Sequence, residues 1–261
     1  MDKVFENLIS ELINIEEVMA ITLGGSRSTG YSDEKSDYDV YIYTSEKINR
    51  DVRENILKKY CSYMEINNSY WELEDNCTLN NGIDIDIIYR DFKEFKGTID
   101  YVIGDLNNYN GYTTCMWHNL LTSKILYDKN GEYQNFKNKY NIKYPKVLKE
   151  KIIKNNFNLL TGTMPAYDAQ IKKAYERGDL VSINHRISEF LASYFDIIFA
   201  INEISHPGEK REVEIAIKKC NILPKNFKEN IELLLTSMYK GNIVNETVQN
   251  IISELKEILD L

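Results

Sequence analysis

The chain has 261 residues, of which 43% are hydrophobic and 28% are charged, as is typical of a soluble globular protein. A chain of this length forms one large domain or two small ones. Its formal net charge of −8 creates a field that repels nucleic acid overall and favours cationic partners.

No segment of the sequence indicates a membrane span or a secretory route. No apolar run approaches about 18 residues, and residues 1–10 lack the basic-then-apolar order of a secretory signal. The four cysteines (Cys61, Cys77, Cys115 and Cys220) are far apart and form no CxxC pair, which favours reduced, buried thiols over a zinc site. We therefore expect a cytoplasmic protein.

The first ninety residues alternate between helix and strand signals. Apolar residues at helical spacing come first, short β-branched runs follow, and Asn81-Gly82 is a strong hairpin signal. The predicted elements are, in chain order, a helix over 5–13, strands over Val18–Leu23 and Tyr38–Thr44, a helix over 46–60, and two strands within Tyr70–Arg90.

Strand signals end near residue 145, and long helical patterns follow. The clearest covers Asp179–Asn202, where an apolar stripe opposes a polar face that includes Ser182, Glu189 and Asp196. The polar, turn-rich stretch before residue 145 indicates a boundary. We predict an α/β (α+β) domain with a small mixed sheet over 1–135, followed by a C-terminal helical bundle over 136–261.

Two pairs of aspartates lie on predicted strands. Asp37 and Asp39 stand at a strand entrance two positions apart, so their side chains project from the same face. Asp84 and Asp86 repeat this spacing among isoleucines, where an unpaired carboxylate is costly. Adjacent carboxylates repel each other, and a divalent cation removes the repulsion. If the two strands are neighbours, three carboxylates meet at one metal site.

The turn Gly24-Gly25-Ser26 precedes the first aspartate pair. Glycines let backbone N–H groups approach an anion closely, and a serine adds a hydroxyl group. Carboxylate oxygens suit Mg²⁺, which is commonly shared between a protein and a bound phosphate. A phosphate-binding turn beside a carboxylate cluster predicts two-metal phosphoryl or nucleotidyl transfer.

The order of these motifs resembles the signature of the DNA polymerase β-type nucleotidyltransferase superfamily. The stretches "GGSRSTG" and "SDYDV" look most like those of antibiotic nucleotidyltransferases, which modify aminoglycosides or lincosamides, and of their uncharacterised bacterial relatives. The specific match covers residues 18–90. The segment Tyr194–Pro224 is similar to the helical C-terminal domain of such proteins, although its motif is much less specific.

The resemblance implies a role for each matching residue. Gly25 and Ser26 would hold the β- and γ-phosphates of a nucleoside triphosphate. Arg27 would reach a phosphate or form a salt bridge to a carboxylate of its own domain. Asp37 and Asp39 would bind Mg²⁺, expected as two ions.

The third acidic position of the resemblance is either Asp84 or Asp86. The context "IDIIY" favours Asp86, which would act as a metal ligand or as the general base on the acceptor hydroxyl. The reaction implied is the transfer of a nucleoside monophosphate, AMP from ATP in the expected case, to that hydroxyl.

The acceptor implied by the resemblance is a small molecule such as an aminoglycoside-type antibiotic. We expect the helical segment to bind it, with Ser182, Glu189 and Asp196 facing its ammonium groups, and we expect no nucleic-acid partner. Two alternatives stay open: a toxin-type transferase acting on tRNA or protein, and a non-catalytic nucleotide-binding module. The intact carboxylates argue against the second alternative.

Overall fold

The computed structural model describes residues 2–29, 36–240 and 242–260, without the side chains of Ser26 and Thr29. The chain divides into two compact units, Met1–Asp100 with Asn119–Ile142, and Tyr101–His118 with Lys143–Leu261. The predicted domains over 1–135 and 136–261 stay a prediction, because a division by contacts does not identify which segment has its own function.

The first unit combines a sheet with flanking helices. Its elements are α1 (Lys3–Leu12), β1 (Val18–Leu23), α2 (Gly25–Thr29), β2 (Tyr38–Thr44), α3 (Arg50–Leu57), β3 (Cys61–Asn68), β4 (Leu73–Leu79), β5 (Asp84–Asp91), α4 (Phe92–Ile99), the end of α5 (Cys115–Thr122), β6 (Lys124–Asp128) and α6 (Glu132–Tyr140). A π-helical turn (Asp100–Gly104) follows α4, and a 3₁₀ turn (Lys129–Gly131) follows β6.

The six strands form one mixed sheet in the order β3-β4-β5-β2-β1-β6. β2 and β5 run parallel, and the other neighbouring strands are antiparallel. β4 and β5 form the predicted hairpin, in which Gly82 has a φ of +83° that favours glycine. The small mixed sheet and the helical region that follows it confirm the predicted fold class.

The two faces of the sheet are covered differently. On β5, Ile85, Ile87 and Tyr89 join the buried core that also contains apolar residues of α1 and α3. On the opposite face, Tyr43 packs against Phe95 of α4, with ring centroids 4.7 Å apart, and aromatic residues of α6 extend that layer. These rings cover the carboxyl ends of β2 and β5, whereas the carboxylates lie near the amino ends of the same strands.

The second unit is helical. Besides the start of α5, it contains α7 (Lys146–Leu160), α8 (Tyr167–Glu176), α9 (Leu180–Ile201), α10 (Glu212–Lys219), α11 (Phe227–Ser237) and α12 (Ile243–Leu259). α9 supplies the centre of its core, because nearly every residue from Ala192 to Ile201 is buried. Among the described residues, no helix is long and apolar enough to cross a membrane.

Candidate functional site

Tyr38 fixes the entrance of β2. Its side chain is 2% exposed, stacks on Phe5 of α1 with centroids 4.0 Å apart, and donates a 2.7 Å hydrogen bond to the carboxylate of Asp2. Successive side chains of an extended chain point to opposite faces. Anchoring Tyr38 in the core therefore directs its neighbours, Asp37 and Asp39, to the other side of the sheet.

The parallel strand β5 brings a third carboxylate to the same place. The register pairs Asp39 directly with Asp86 across β2 and β5. Asp37, Asp39 and Asp86 each offer a carboxylate oxygen, and these oxygens lie within 4.8 Å of one another. Asp37 is exposed and the other two are half-buried. The structure thus gathers three of the predicted site residues into one cluster.

The donor set of this cluster suits Mg²⁺. Oxygens bound octahedrally to Mg²⁺ at about 2.1 Å lie about 3.0 to 4.2 Å apart. Oxygens within 4.8 Å of one another reach that spacing through small side-chain rotations. Asp84 lies outside the cluster: it is exposed at the start of β5 and accepts a 2.7 Å hydrogen bond from the Thr78 hydroxyl.

The glycine turn lies directly against Asp39. The backbone N–H of Gly24 donates to the carbonyl of Asp39 at 2.8 Å. Gly25 has a φ of +60°, and a Cβ atom there would overlap the Oδ2 atom of Asp39. A Cβ atom at Gly24 would overlap the ring of Tyr41. Both positions therefore require glycine for this close approach. The side chain of Ser26 lies outside the described part of the chain.

Arg27 of α2 holds the backbone that precedes β2. Its guanidinium donates to the carbonyls of Ser36 and Asp37, the latter at 3.0 Å from Nε, and lies 4.1 Å from the ring centroid of Tyr38. Arg27 thus contacts carbonyl groups and an aromatic ring, and its predicted contact with a phosphate stays a prediction.

Sequence reasoning missed two residues beside the cluster, Glu74 and Asn76 of β4. Asn76 donates a 2.8 Å hydrogen bond to Asp86, and burial together with the charge of Asp86 raises the pKa of Glu74. Both lie on the face of β4 that also carries Thr78, opposite the buried face. The alternating polar pattern of β4 was a signal that could have found them.

The polar face predicted on α9 does not form as expected. Ser182 is occupied at the helix start by Asp179, to which its hydroxyl donates at 2.7 Å, and Glu189 is exposed. Asp196 is 1% exposed, so the prediction that it meets an acceptor in solvent is wrong. Its carboxylate instead accepts hydrogen bonds from Thr113 and Asn156, and burial raises its pKa to about 6.

A different group of carboxylates lies together in the second unit. Burial, together with the negative charges of Glu212, Glu209 and Glu189, raises the pKa of Tyr112 to about 12. Glu212 itself is largely buried, and its Oε1 atom lies 3.3 Å from Nε2 of His206. Glu189 and Glu209 are exposed, whereas Glu212 and Asp196 are largely or fully buried.

Two family models match the chain. Residues 5–109 match the nucleotidyltransferase domain, and residues 113–210 match a domain of unknown function, DUF4037. The first match contains the glycine turn and all three carboxylates of the cluster. A comparison with curated proteins finds no match.

Several solved structures match the chain at low similarity. A nucleotidyltransferase-like protein from Exiguobacterium sibiricum is 10% identical, with a TM-score of 0.45 over 99% of this chain and 74% of that one. The spectinomycin adenyltransferase AAD(9) from Enterococcus faecialis, solved with ATP and spectinomycin, is 12% identical, with a TM-score of 0.31 over 98% and 100%. The Thermotoga maritima CCA-adding enzyme, solved with tRNA, is 10% identical, with a TM-score of 0.32 over 100% and 82%.

Proposed function

We propose that this chain, which carries a nucleotidyltransferase domain in residues 5–109, transfers a nucleoside monophosphate from a nucleoside triphosphate to a hydroxyl group of a small cationic molecule. The nucleotidyltransferase domain is matched over residues 5–109; ATP as donor, Mg²⁺ dependence and the acceptor class are the proposal. The observation that carries it is the convergence of Asp37, Asp39 and Asp86 within 4.8 Å beside the glycine turn.

The carboxylate cluster would hold the metal. Asp37, Asp39 and Asp86 supply hard oxygen ligands from two adjacent parallel strands, which fixes their spacing. Bound there, Mg²⁺ would offset the negative charge that develops on the triphosphate as the bond to its leaving group breaks.

The glycine turn would hold the triphosphate. Gly25 lies against Asp39, so a phosphate that shares a metal ion with Asp39 comes within reach of the backbone at Gly25 and Ser26. The absence of a side chain at Gly25 leaves room for the carboxylate of Asp39. Positioning of this kind aligns the α-phosphorus with the attacking group, which is a major source of rate enhancement in phosphoryl transfer.

The acceptor hydroxyl would attack the α-phosphorus in line. A new oxygen–phosphorus bond forms, the bond to the bridging oxygen breaks, and pyrophosphate leaves with the electron pair. Asp86 lies at the edge of the cluster toward β4, where its carboxylate can orient the hydroxyl and accept its proton. Asp84 is the weaker candidate for this role because it is exposed and bonded to Thr78.

A cationic acceptor is favoured by charge. The chain has a formal net charge of −8, and the helical unit carries the exposed carboxylates of Glu189 and Glu209, whose charges act on Tyr112. Negatively charged groups attract an ammonium group and disfavour an anionic acceptor. An aminoglycoside-type molecule, which carries several ammonium and hydroxyl groups, meets both requirements of the proposal.

Pyrophosphate release tests the proposal. The purified protein is incubated with Mg²⁺, each of the four nucleoside triphosphates and a panel of aminoglycosides, lincosamides and tRNA. We expect release with ATP and a cationic small molecule, and none when Asp39 is replaced by Asn. Release with tRNA alone would move the assignment to an RNA-directed transferase. Nucleotide binding without release under any condition would favour a non-catalytic module.

A further inference from the structure

A chain of hydrogen bonds connects the edge of the sheet to Asp86. The side-chain amide of Asn68 on β3 donates to a carboxylate oxygen of Glu65 at 3.2 Å and to Oδ1 of Asn76 at 2.6 Å. Nδ2 of Asn76 on β4 then donates to Oδ1 of Asp86 on β5 at 2.8 Å. Three adjacent strands thus contribute to one continuous network that ends at the carboxylate cluster.

The ends of this network fix its polarity. Glu65 and an ionised Asp86 can only accept hydrogen bonds, so the amide nitrogens of Asn68 and Asn76 must face them. Asn68 then uses one N–H for Glu65 and the other for Asn76, whose oxygen accepts it. Neither amide can turn over without placing an oxygen against a carboxylate or against the other amide oxygen. The orientation of Asn76 is therefore determined by its surroundings.

We propose that Asn76 is a positioning residue that fixes the third carboxylate of the cluster. This inference rests on the proposed function, because it assigns Asp86 the third place. The N–H of Asn76 holds Oδ1 of Asp86, which stops rotation of the carboxylate about its Cβ–Cγ bond. The second oxygen, Oδ2, is thereby held in one direction before a metal ion or an acceptor arrives.

Preorganisation is needed at this position because Asp86 has a like-charged neighbour besides the cluster. Glu74 lies two residues from Asn76 on the same face of β4, and the charge of Asp86 already raises its pKa. Carboxylates that repel each other rotate apart unless donors hold them. Amides that orient a metal-binding carboxylate commonly change metal affinity or activity about 10- to 100-fold when they are removed.

The next side-chain pair between β4 and β5, Thr78 and Asp84, provides a matched control. Thr78 lies two residues further along β4 on the same face, and its hydroxyl donates to Asp84 at 2.7 Å. Both pairs join β4 to β5 through one side-chain hydrogen bond to an aspartate. If the hydrogen bond of Asn76 only stabilises the fold, replacing Asn76 or Thr78 should have similar effects on Mn²⁺ affinity. If Asn76 positions Asp86, only the substitution of Asn76 should lower that affinity strongly.

The experiment compares Asn76→Leu, Thr78→Val and Asn68→Leu with the wild type. Mn²⁺ alone is titrated against each protein by electron paramagnetic resonance, kcat and KM are measured by pyrophosphate release, and thermal unfolding monitors the fold. We expect Asn76→Leu to lower Mn²⁺ affinity and kcat about 10- to 100-fold. Asn68→Leu should cause a smaller loss of the same kind, and Thr78→Val should stay within about twofold of the wild type.

Each outcome decides a separate question. Equal effects of Asn76→Leu and Thr78→Val on Mn²⁺ affinity, or no effect of either, would overturn the positioning role. Asp39-dependent Mn²⁺ binding without any pyrophosphate release would overturn the transferase proposal only, and the Mn²⁺ comparison would still decide the role of Asn76. A wild type that binds no Mn²⁺ would overturn the metal site and this inference together.

Discussion

Gly25 and Asp39 approach each other so closely that a Cβ atom at position 25 would lie 2.6 Å from the Cγ atom of Asp39 and overlap its Oδ2. The glycine turn and the start of β2, which we propose hold the nucleotide and the metal ion, are therefore in direct contact. Since Gly25 also has a φ of +60°, this contact depends on a conformation that other residues adopt at a cost.

Gly25→Ala should displace the carboxylate of Asp39. We expect the substitution to reduce Mn²⁺ affinity and turnover at least about tenfold. This is the smallest effect that is typical when a contact that orients a metal ligand is lost. The substitution should also lower the free energy of unfolding by about 1–2 kcal/mol through backbone strain. Mn²⁺ titration and urea unfolding measure the two effects.

Gly82→Ala is the matched control for this substitution. Gly82 has a φ of +83°, but a Cβ atom there would meet no atom within 4 Å. Gly82→Ala introduces the same kind of backbone strain as Gly25→Ala but no overlap with a neighbouring atom. It should therefore lower the free energy of unfolding and leave Mn²⁺ affinity unchanged. If both alanine variants bind Mn²⁺ equally well, the contact between Gly25 and Asp39 does not shape the site.

Asp39→Asn should abolish turnover and leave the fold intact. The change removes the negative charge of a proposed metal ligand with little change in side-chain volume, so the loss should exceed the about 10- to 100-fold typical of residues around metal ligands. Asp86→Asn should act in the same way. Asp84→Asn tests which of the two aspartates of β5 is the third carboxylate of the site. Near-normal turnover of this variant supports Asp86. A loss equal to that of Asp86→Asn would mean that turnover depends on both aspartates.

The strands that carry the site could be predicted from the sequence because their pattern is local. Asp37 and Asp39 stand at the entrance of an apolar run, and Asn81-Gly82 specifies the hairpin that presents β5. β3 and β6 escaped prediction for a physical reason. β3 is an edge strand in which half of the residues are exposed, and β6 is short and half-buried, so neither shows strict alternation of apolar residues.

Burial depends on tertiary contacts that a helical pattern does not reveal. Asp196 was placed on a polar face because its spacing fits that face, yet it is buried where Thr113 and Asn156 supply hydrogen-bond donors from distant segments. Trp71, a large aromatic residue, is 89% exposed in the segment between β3 and β4. Asn76 was missed because its partner, Asp86, is identified only once strand register is known.

The buried ion pair of Arg53 and Asp75 should be the most sensitive structural contact of the first unit. Their side chains are 1% and 0% exposed, and Nη1 of Arg53 lies 2.7 Å from both oxygens of Asp75. Asp75→Asn leaves the guanidinium buried without its counter-charge, which should lower the free energy of unfolding by about 3–5 kcal/mol. Urea unfolding measures the change.

Two further variants separate charge from packing in this pair. The double substitution Arg53→Met with Asp75→Leu removes both charges, so it should cost less than Asp75→Asn alone. Glu54→Gln breaks the exposed pairs that Glu54 forms with Arg50 and Lys58 and should leave unfolding within measurement error. A double variant less stable than Asp75→Asn would mean that packing, and not the uncompensated charge, dominates.

Glu212 should make the protein less stable as the pH rises from 7 to 8.5. Burial, and then the charge of Glu209, raises the pKa of Glu212 to about 8 in the folded protein, above its ordinary value of 4.5. Between these two values the folded state binds more protons than the unfolded state. The free energy of unfolding therefore falls as the pH rises through this window, by on the order of 1 kcal/mol between pH 7 and 8.5.

Glu212→Gln should remove this part of the pH dependence, because the amide is neutral at every pH. The measured quantity is the difference in unfolding free energy between the variant and the wild type at pH 7 and 8.5, since the other titrating groups contribute nearly alike to both proteins. Glu214→Gln, at an exposed position of the same helix, should keep the wild-type slope. If Glu212→Gln and the wild type lose stability in parallel, Glu212 is ionised throughout the window, with protonated His206 at 3.3 Å as its counter-charge.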